Sequence, residues 1–258
     1  MSRFHFLFLS FLLLSTAAPA QQHGLLTEIL STHVKDGLVN YPALMNDDRL
    51  DVYLEQLTVM QPDSLNKMDR LALWLNAYNA YMLKAVLLDY PVKSVNDLHW
   101  GGQIIGHVLG TTVWEEEFAN VGGKVYTLNQ IEHEIIRKKF AEPRIHFALN
   151  CAAVSCAPLR TNAYEGPRLD RQLSEQARAF LNDTTKNRFD MEKKQAYVSK
   201  IFNWYGKDFG STKEAQLHYI RRFLSPELDA LIDADPSAWT VYYLPYDWSL
   251  NDLTTVPD

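Results

Sequence analysis

The longest apolar segment of the chain runs from Met68 to Leu88 (MDRLALWLNAYNAYMLKAVLL), with hydrophobic side chains on nearly every side of a helix. A helix that is apolar all round is typically buried, so this segment is predicted to be the central helix of the fold. It is not predicted to span a membrane, because Asn76, Asn79 and Lys84 interrupt it. Buried asparagines need hydrogen-bond partners. Asn76 and Asn79 are therefore expected to tie down loop backbone or, alternatively, to orient a catalytic side chain or a substrate amide.

Amphipathic patterns precede this central segment. Between Gln21 and Leu57, hydrophobic positions recur at helical spacing and are interrupted at Gly37. This pattern predicts a helical N-terminal cap over residues 21–62. The remainder, residues 63–258, is predicted to be an α+β core domain that forms one globular unit with the cap.

Patterns of short β-strands follow the central helix. Hairpins or extended segments are predicted at Gly101–Glu117 and Arg188–Ile201, a helix at Leu169–Leu181, and a strand at Thr240–Leu244. These patterns predict an α+β fold in which a small antiparallel sheet packs against the central helix. The aromatic tail that follows, Pro245–Asn251, is expected to seal the core and to wall a cleft.

The segment from Thr127 to Leu159 concentrates the side chains that could carry chemistry. Thr127 and Gln130 form a capping-box pattern that starts a helix. The apolar face of this helix includes one carboxylate, Glu132, and His133 lies at the edge of that face. A buried carboxylate without a partner is costly. Glu132 is therefore expected to be paired or to be held in its protonated form.

After this helix, Ile145–Leu149 has the pattern of a buried strand and contains His146. A loop of small residues follows from Asn150 to Pro158, and it holds both cysteines of the chain, Cys151 and Cys156. Functional side chains are common on loops that a rigid scaffold positions. The sequence therefore places the candidate site at this loop.

The two cysteines admit three interpretations. They can form a disulfide, which an even number of cysteines in an exported chain allows. One of them can be a nucleophile with His146 or His133 as its general base. Both can also be small buried hydrophobic residues. A zinc site made of these cysteines and histidines is only weakly indicated, because their spacing matches no standard zinc motif, and no metal ligand is predicted.

The first twenty residues have the pattern of a secretory signal peptide. Arg3 precedes the apolar run Phe6–Leu14, and small residues at Ala17–Ala20 would allow cleavage before Gln21. We therefore expect an exported protein, periplasmic or extracellular, with no membrane span after cleavage. The net charge is −6 and no basic stripe is present, so the composition does not favour nucleic-acid binding.

Four motifs in order, WLNAYNAYMLKAV, YTLNQIEHEIIR, RIHFALNCAAVSCAPLR and YLPYDWSLN, resemble the family catalogued as domain of unknown function 547. The resemblance extends over most of the chain, from Asn40 to Asn251. It departs at Ala157, because the loop of the family is expected to read Cys-Pro-Pro. The family in turn resembles papain-like and transglutaminase-like thiol enzymes, which implies an α+β core with a cysteine, a histidine and a polar side chain in one site.

The resemblance implies one set of site residues, supported by two asparagines of the central helix: Glu132, His133, His146, Cys151 and Cys156, with Asn76 and Asn79. Cys151 is the preferred nucleophile because it lies nearest in sequence to the segment that carries His146. Consecutive residues of a helix do not face each other, so Glu132 is expected to orient His146 rather than His133.

The expected activity is that of a thiol-dependent hydrolase or transferase that acts on amide or acyl bonds of a peptide or cell-envelope polymer, without a cofactor. The alternative is an exported binding module without enzymatic activity, in which a Cys151–Cys156 disulfide stiffens a recognition loop.

Overall fold

The structure, a computed structural model, describes residues 23–98 and 112–255. The predicted signal peptide and most of the segment predicted at Gly101–Glu117 lie outside the described residues. The described part combines helices with small β-sheets, which confirms the α+β class.

The elements divide into α-helices, strands, one π-helix and several 3₁₀ turns. The α-helices are α1 (Gly24–His33), α2 (Tyr41–Leu44), α3 (Arg49–Val59), α4 (Lys67–Asp89), α5 (Lys138–Phe140), α6 (Leu169–Leu181), α7 (Ile201–Trp204), α8 (Gly206–Phe209), α9 (Lys213–Ile220) and α10 (Pro226–Ala234). The strands are β1 (Val34–Lys35), β2 (Leu38–Val39), β3 (Ala119–Val121), β4 (Lys124–Tyr126), β5 (Arg188–Asp190), β6 (Gln195–Val198) and β7 (Thr240–Tyr243). The π-helix, Gln130–Arg137, leads directly into α5, and 3₁₀ turns occur at Pro62–Ser64, Val95–Asp97, Pro143–Phe147, Gly166–Arg168, Arg221–Phe223, Pro236–Ala238 and Leu253–Thr255.

Helix α4 is the buried central helix that the sequence predicts. Asn66 caps its N-terminus by accepting hydrogen bonds from the backbone N–H groups of Met68 and Asp69. By length and composition this helix could cross a membrane, but 83% of its most apolar stretch is buried inside the protein. Burial of that extent is typical of a core helix.

The N-terminal helices pack on the same core as α4. Buried side chains of α1 and α3, among them Ile29 and Tyr53, belong to the hydrophobic cluster that surrounds α4. The predicted break at Gly37 is a tight turn between β1 and β2, where Gly37 has a φ of +82°. A Cβ at this position would lie 2.5 Å from Cβ of Pro158. Glycine is therefore needed here both for its backbone conformation and for the close approach of the cysteine loop.

The prediction of a small antiparallel sheet packed against α4 is confirmed only in part. The described strands form three small sheets: β1 pairs with β2, β3 with β4, and β6 lies between β5 and β7. The hairpin predicted at Arg188–Ile201 is confirmed as β5 and β6, and the strand predicted at Thr240–Leu244 as β7, but β7 runs parallel to β6. Helices α7 to α10 form the long crossover that a parallel pair requires. Of these sheets, the β3–β4 pair packs against α4, whereas the three-stranded sheet belongs to a second hydrophobic cluster.

The second hydrophobic cluster forms beside the one around α4. Its centre is a group of phenylalanines that includes Phe147, Phe180, Phe202 and Phe209, with ring centroids 4.7 to 6.0 Å apart. Tyr246, in the C-terminal tail, packs against both clusters. The tail therefore joins the two halves of the core, as expected for a segment that seals it.

Candidate active site

A cavity of about 460 Å³ is lined by residues of both hydrophobic clusters. The structure brings all five predicted site residues of the Thr127–Leu159 segment to this cavity: Glu132, His133, His146, Cys151 and Cys156. Aromatic side chains supply much of the remaining wall: Tyr78, Trp114, Trp204, Tyr205, Tyr246 and Trp248. Asn76 and Asn79 are not among the lining residues.

The two asparagines of α4 bind loop backbone, which confirms the first of their two predicted roles. Asn79 donates to the carbonyl of Ala148 and accepts from the N–H of Asn150, both at 2.9 Å. Asn76 makes the equivalent pair of hydrogen bonds with the backbone of Tyr164, both at 2.8 Å. Asn79 thus holds the chain immediately before Cys151, whereas Asn76 holds a segment after the cysteine loop.

The strand predicted at Ile145–Leu149 is wrong, because the structure has a 3₁₀ turn over Pro143–Phe147. Glu142 caps this turn by accepting from the N–H of Arg144 at 3.1 Å, and the proline occupies its first position, where its missing N–H costs nothing. Short apolar runs do not separate a buried strand from a buried helical turn. The segment is nevertheless buried as expected, with His146 only 5% exposed.

The cysteine loop, Asn150–Pro158, is fixed by its own side chains and by the C-terminal tail. The Asn150 side chain donates to the carbonyl of Ala157 at 2.7 Å and accepts from the N–H of Ala152 at 2.9 Å. The tail runs alongside the loop, with a hydrogen bond of 2.8 Å from the N–H of Asn251 to the carbonyl of Ala152. These bonds hold Ala152 in a left-handed conformation, with φ of 62°, immediately after Cys151.

Cys151 is partly buried at the cavity, and its Sγ lies 3.2 Å from the Tyr246 hydroxyl. The backbone N–H of Cys151 donates to Sγ of Cys156 at 2.9 Å, and the Cys156 thiol donates to the carbonyl of Leu149 at 3.6 Å. Hydrogen bonding with Cys156 and with the Tyr246 hydroxyl lowers the pKa of Cys151. Burial raises the pKa of Cys156 well above the usual range. Both cysteines are free thiols in the structure.

His146 is held by Asp208, which is not among the predicted site residues. The ring Nε2 lies 2.7 Å from Asp208 Oδ2, and Arg137 binds the same carboxylate at 2.7 and 3.0 Å. The hydrogen bonds from His146 and Arg137 hold the pKa of Asp208 well below its usual range. An ionised carboxylate can only accept, so Nε2 carries the proton of the neutral ring and Nδ1 has the lone pair. Among the described residues, none hydrogen-bonds this Nδ1.

His133 is the other candidate for the general base, but its Nδ1 is already hydrogen-bonded. Arg137 Nη1 donates to His133 Nδ1 at 3.2 Å, so the lone pair of that nitrogen is already engaged. The Glu132 carboxylate is 3.7 Å from Nδ1, which is too long for a hydrogen bond. The prediction that Glu132 orients His146 is wrong, because Asp208 has that position.

Glu132 lies beside Tyr205. Burial, and then the charge of Glu132, raise the pKa of Tyr205. The Tyr205 ring stacks on His146 with centroids 4.1 Å apart, and the Arg137 guanidinium lies over the same ring at 4.9 Å. Tyr205 therefore connects Glu132 to the His146–Asp208 pair.

The π-helical turn explains why Glu132 and His133 both reach the cavity. The capping box of Thr127 and Gln130 is confirmed by reciprocal hydrogen bonds of 2.9 and 3.0 Å. The following residues, however, form π-helical rather than α-helical turns. Each residue turns through a smaller angle in a helix with i→i+5 hydrogen bonds, so consecutive side chains diverge less. Single π-helical turns are frequent at functional sites.

Trp204, Tyr205 and Asp208 are not predicted as site residues, but the sequence contains one feature that indicates their segment. The run Asn203–Phe209 is rich in aromatic side chains, and it supplies Trp204, Tyr205 and Asp208 to the site. Nothing in its local spacing links Asp208 to His146, which precedes it by 62 residues. Within residues 23–98 and 112–255, no group of three or more His, Cys, Asp or Glu side chains is arranged to hold a metal ion.

Comparison with known proteins supports the family resemblance. No curated protein and no solved structure matches the chain, so the relationship to papain-like and transglutaminase-like enzymes is not shown. Residues 62–181 match the family model described as "Protein of unknown function, DUF547". That match supports placing the segment that carries Glu132, His146 and both cysteines in the domain of unknown function 547 family.

Proposed function

We propose that this protein is a thiol-dependent acyl-transfer enzyme, a hydrolase or transferase acting on amide or related acyl bonds. Cys151 is the nucleophile, His146 is the general base, and Asp208 orients His146. The observation that carries the proposal is that a partly buried cysteine with a lowered pKa lines the same cavity as a histidine whose Nδ1 has no hydrogen-bond partner among the described residues. A nucleophile, a base and a group that orients the base are the parts that covalent acyl transfer requires.

The reaction follows from these roles. His146 Nδ1 takes the proton of the Cys151 thiol, and the thiolate attacks the carbonyl carbon of the substrate. The C–N or C–O bond then breaks, and the leaving group takes its proton from the His146 imidazolium. His146 then deprotonates water or a second nucleophile, which attacks the resulting thioester. The C–S bond breaks, and the departing Cys151 thiolate takes the proton back from the His146 imidazolium. Charge on the ring during these steps is stabilised by the Asp208 carboxylate at 2.7 Å.

Tyr246 has a second role in this scheme. Its hydroxyl lies 3.2 Å from Sγ of Cys151 in the resting site. When Sγ bonds to the carbonyl carbon of the substrate, the sulfur loses its negative charge and accepts hydrogen bonds only weakly. The hydroxyl is then free to donate to the developing oxyanion, which is the group that most needs stabilisation in acyl transfer.

The proposed setting is outside the cytoplasm. The signal-peptide pattern at Met1–Ala20 supports export, and an exported acyl-transfer enzyme would meet peptides or cell-envelope polymers as substrates. N-terminal sequencing of the protein recovered from the producing cells is expected to begin at Gln21. An intact Met1 on the recovered protein would contradict export.

The enzymatic proposal is tested by trapping the acyl intermediate. The native protein is mixed with 4-nitrophenyl acetate, quenched in acid and analysed by peptide mass spectrometry. We expect a burst of nitrophenolate equal to the protein concentration and an acetyl group on Cys151. Cys156→Ser keeps a hydrogen-bond donor and is expected to retain the adduct, whereas Cys151→Ala loses it. An adduct on another residue, or a burst that survives in Cys151→Ala, would contradict the proposal.

A further inference from the structure

We propose that the cavity contains a subsite for a primary ammonium group, in which Glu132 is the counter-ion and aromatic rings form the walls. That the ammonium belongs to the substrate rests on the proposed function, but the subsite itself does not. In the substrate, a cationic amine would lie close to the bond that Cys151 attacks.

The charged groups of the cavity leave Glu132 without a guanidinium or ammonium partner among the described residues. Asp208 is neutralised by Arg137, which binds both of its oxygens. Glu132 is only 8% exposed, yet no described Lys or Arg side chain forms a salt bridge with it. Its nearest basic group is His133, at 3.7 Å. Among the described residues that line the cavity, Glu132 is therefore a carboxylate that no Lys or Arg binds directly, although its charge acts on Arg137.

The walls of the cavity are mostly aromatic. Tyr78 and Tyr205 line it together with Glu132, and burial, followed by the charge of Glu132, raises the pKa of both phenol groups. Trp204, Tyr246 and Trp248 form an aromatic group on the same cavity, with ring centroids 4.5 to 5.6 Å apart. A cation is attracted to the faces of such rings. A buried carboxylate among aromatic faces thus matches an ammonium group better than a neutral or anionic one.

The subsite is coupled electrostatically to the Cys151 thiol. The charge of Glu132 raises the pKa of Cys151 and so opposes formation of the thiolate. A cation bound at Glu132 would cancel this effect and favour the thiolate. By linkage, the thiolate favours binding of the cation to the same extent. Cys151 would therefore be most reactive when an ammonium ligand occupies the cavity.

The subsite is tested by binding, independently of catalysis. Butylammonium chloride is titrated into the Cys151→Ala protein, with tryptophan fluorescence as the readout because Trp114, Trp204 and Trp248 line the cavity. Butanol has the same alkyl chain without the charge. We expect saturable binding of butylammonium, and weaker binding of butanol by about tenfold, the ratio that loss of a charge-assisted hydrogen bond gives. Equal binding of the two compounds would overturn the proposal.

Two matched variants test whether Glu132 supplies the negative charge of the subsite. Glu132→Gln is expected to reduce butylammonium affinity by about tenfold, whereas Glu134→Gln is expected to leave it unchanged, because Glu134 is exposed and does not line this cavity. Circular dichroism verifies that both variants are folded. Unchanged affinity in a folded Glu132→Gln protein would refute the subsite.

The coupling to the thiol provides a second readout in the wild-type protein. Butylammonium is expected to increase the rate at which a small reagent such as methyl methanethiosulfonate modifies Cys151 near neutral pH, and Glu132→Gln is expected to abolish the increase. Binding to Cys151→Ala without acylation of the wild-type protein would retain the subsite and reject the enzyme. Acylation of Cys151 without selective binding of butylammonium would support the enzyme and reject the subsite.

Discussion

Asn76 and Asn79 form a natural matched pair for separating the stability of the fold from the geometry of the site. Both lie on α4, both are at most 5% exposed, and both bind one backbone carbonyl and one backbone N–H. They differ in what they hold, because Asn79 fixes the backbone just before Cys151 and Asn76 fixes Tyr164. Replacing each by leucine keeps the volume similar and removes both hydrogen bonds.

The expected cost in stability follows from the groups left unpaired. Each substitution removes the side-chain partner of two buried backbone groups, at about 1–3 kcal/mol per group. The Ala148 carbonyl keeps a 3.5 Å contact with the Tyr164 hydroxyl, and the apolar leucine offsets part of each loss, which gives about 2–4 kcal/mol. For a domain of this size that loss corresponds to a decrease in Tm of roughly 5–15 °C. Asn76→Leu and Asn79→Leu should therefore be destabilised to a similar extent in thermal unfolding.

Their effects on the thiol should differ. The rate of iodoacetamide alkylation of Cys151 is expected to change by roughly tenfold in Asn79→Leu, because a small displacement of the loop alters the hydrogen bonds around Sγ. The rate is expected to stay within twofold of wild type in Asn76→Leu, as an order-of-magnitude bound on indirect effects. Equal rates in both folded variants would show that Asn79 does not position the cysteine.

Two further substitutions test the groups around the base and the thiol. Asp208→Asn removes the charge that binds His146 and Arg137, and should cost about 2 kcal/mol at pH 6, since these partly exposed charged groups are weaker than fully buried ones. Because folding lowers the pKa of Asp208, the stability that this carboxylate contributes is present above about pH 4 and is lost as the pH falls below that value. The free energies of unfolding of wild type and variant, measured in urea, should therefore converge in acid. A difference between them that grows in acid would contradict this prediction. Tyr246→Phe removes the hydroxyl donor to Cys151, and should move the midpoint of the alkylation profile upward by about one pH unit. An unchanged profile would show that this hydroxyl does not stabilise the thiolate.

The parts of the fold that depend on local pattern could be predicted from the sequence. The capping box at Thr127 and the apolar periodicity of α4 act within a few residues, so both are visible in the sequence and both are present in the structure. Periodicity also identified Glu132 as a buried carboxylate. The turn at Gly37 belongs to the same class, because its glycine is required by the backbone conformation.

The parts that failed depend on contacts between distant segments. The parallel pairing of β7 with β6 requires the crossover of helices α7 to α10, which no local pattern encodes. His146 binds Asp208, which is far from it in sequence, and not Glu132, which is closer in sequence. The ring of His146, in the turn at Pro143–Phe147, contacts the segment that contains Asp208. Aromatic and charged side chains also suit many environments, so Tyr205 could not be placed between Glu132 and His146 from sequence alone.

The cysteine loop depends both on local sequence pattern and on contacts between distant segments. Its small residues predicted a loop, and the loop is there. The left-handed Ala152 and the hydrogen bonds from Asn79 and from the C-terminal tail could not be inferred, since they arise only when three separate segments meet. It is these bonds that set the surroundings of the Cys151 thiol.

The central claim, that Cys151 is an activated nucleophile, is tested most directly by counting and titrating the thiols of the native mature protein. Iodoacetamide is applied across pH without reductant, and the adduct is located by peptide mass spectrometry. We predict that one thiol reacts, that it is Cys151, and that its pKa lies below the value of about 8.5 for a free cysteine. No label before reduction and two labels afterwards would establish a Cys151–Cys156 disulfide, contradict the catalytic account and favour a binding module.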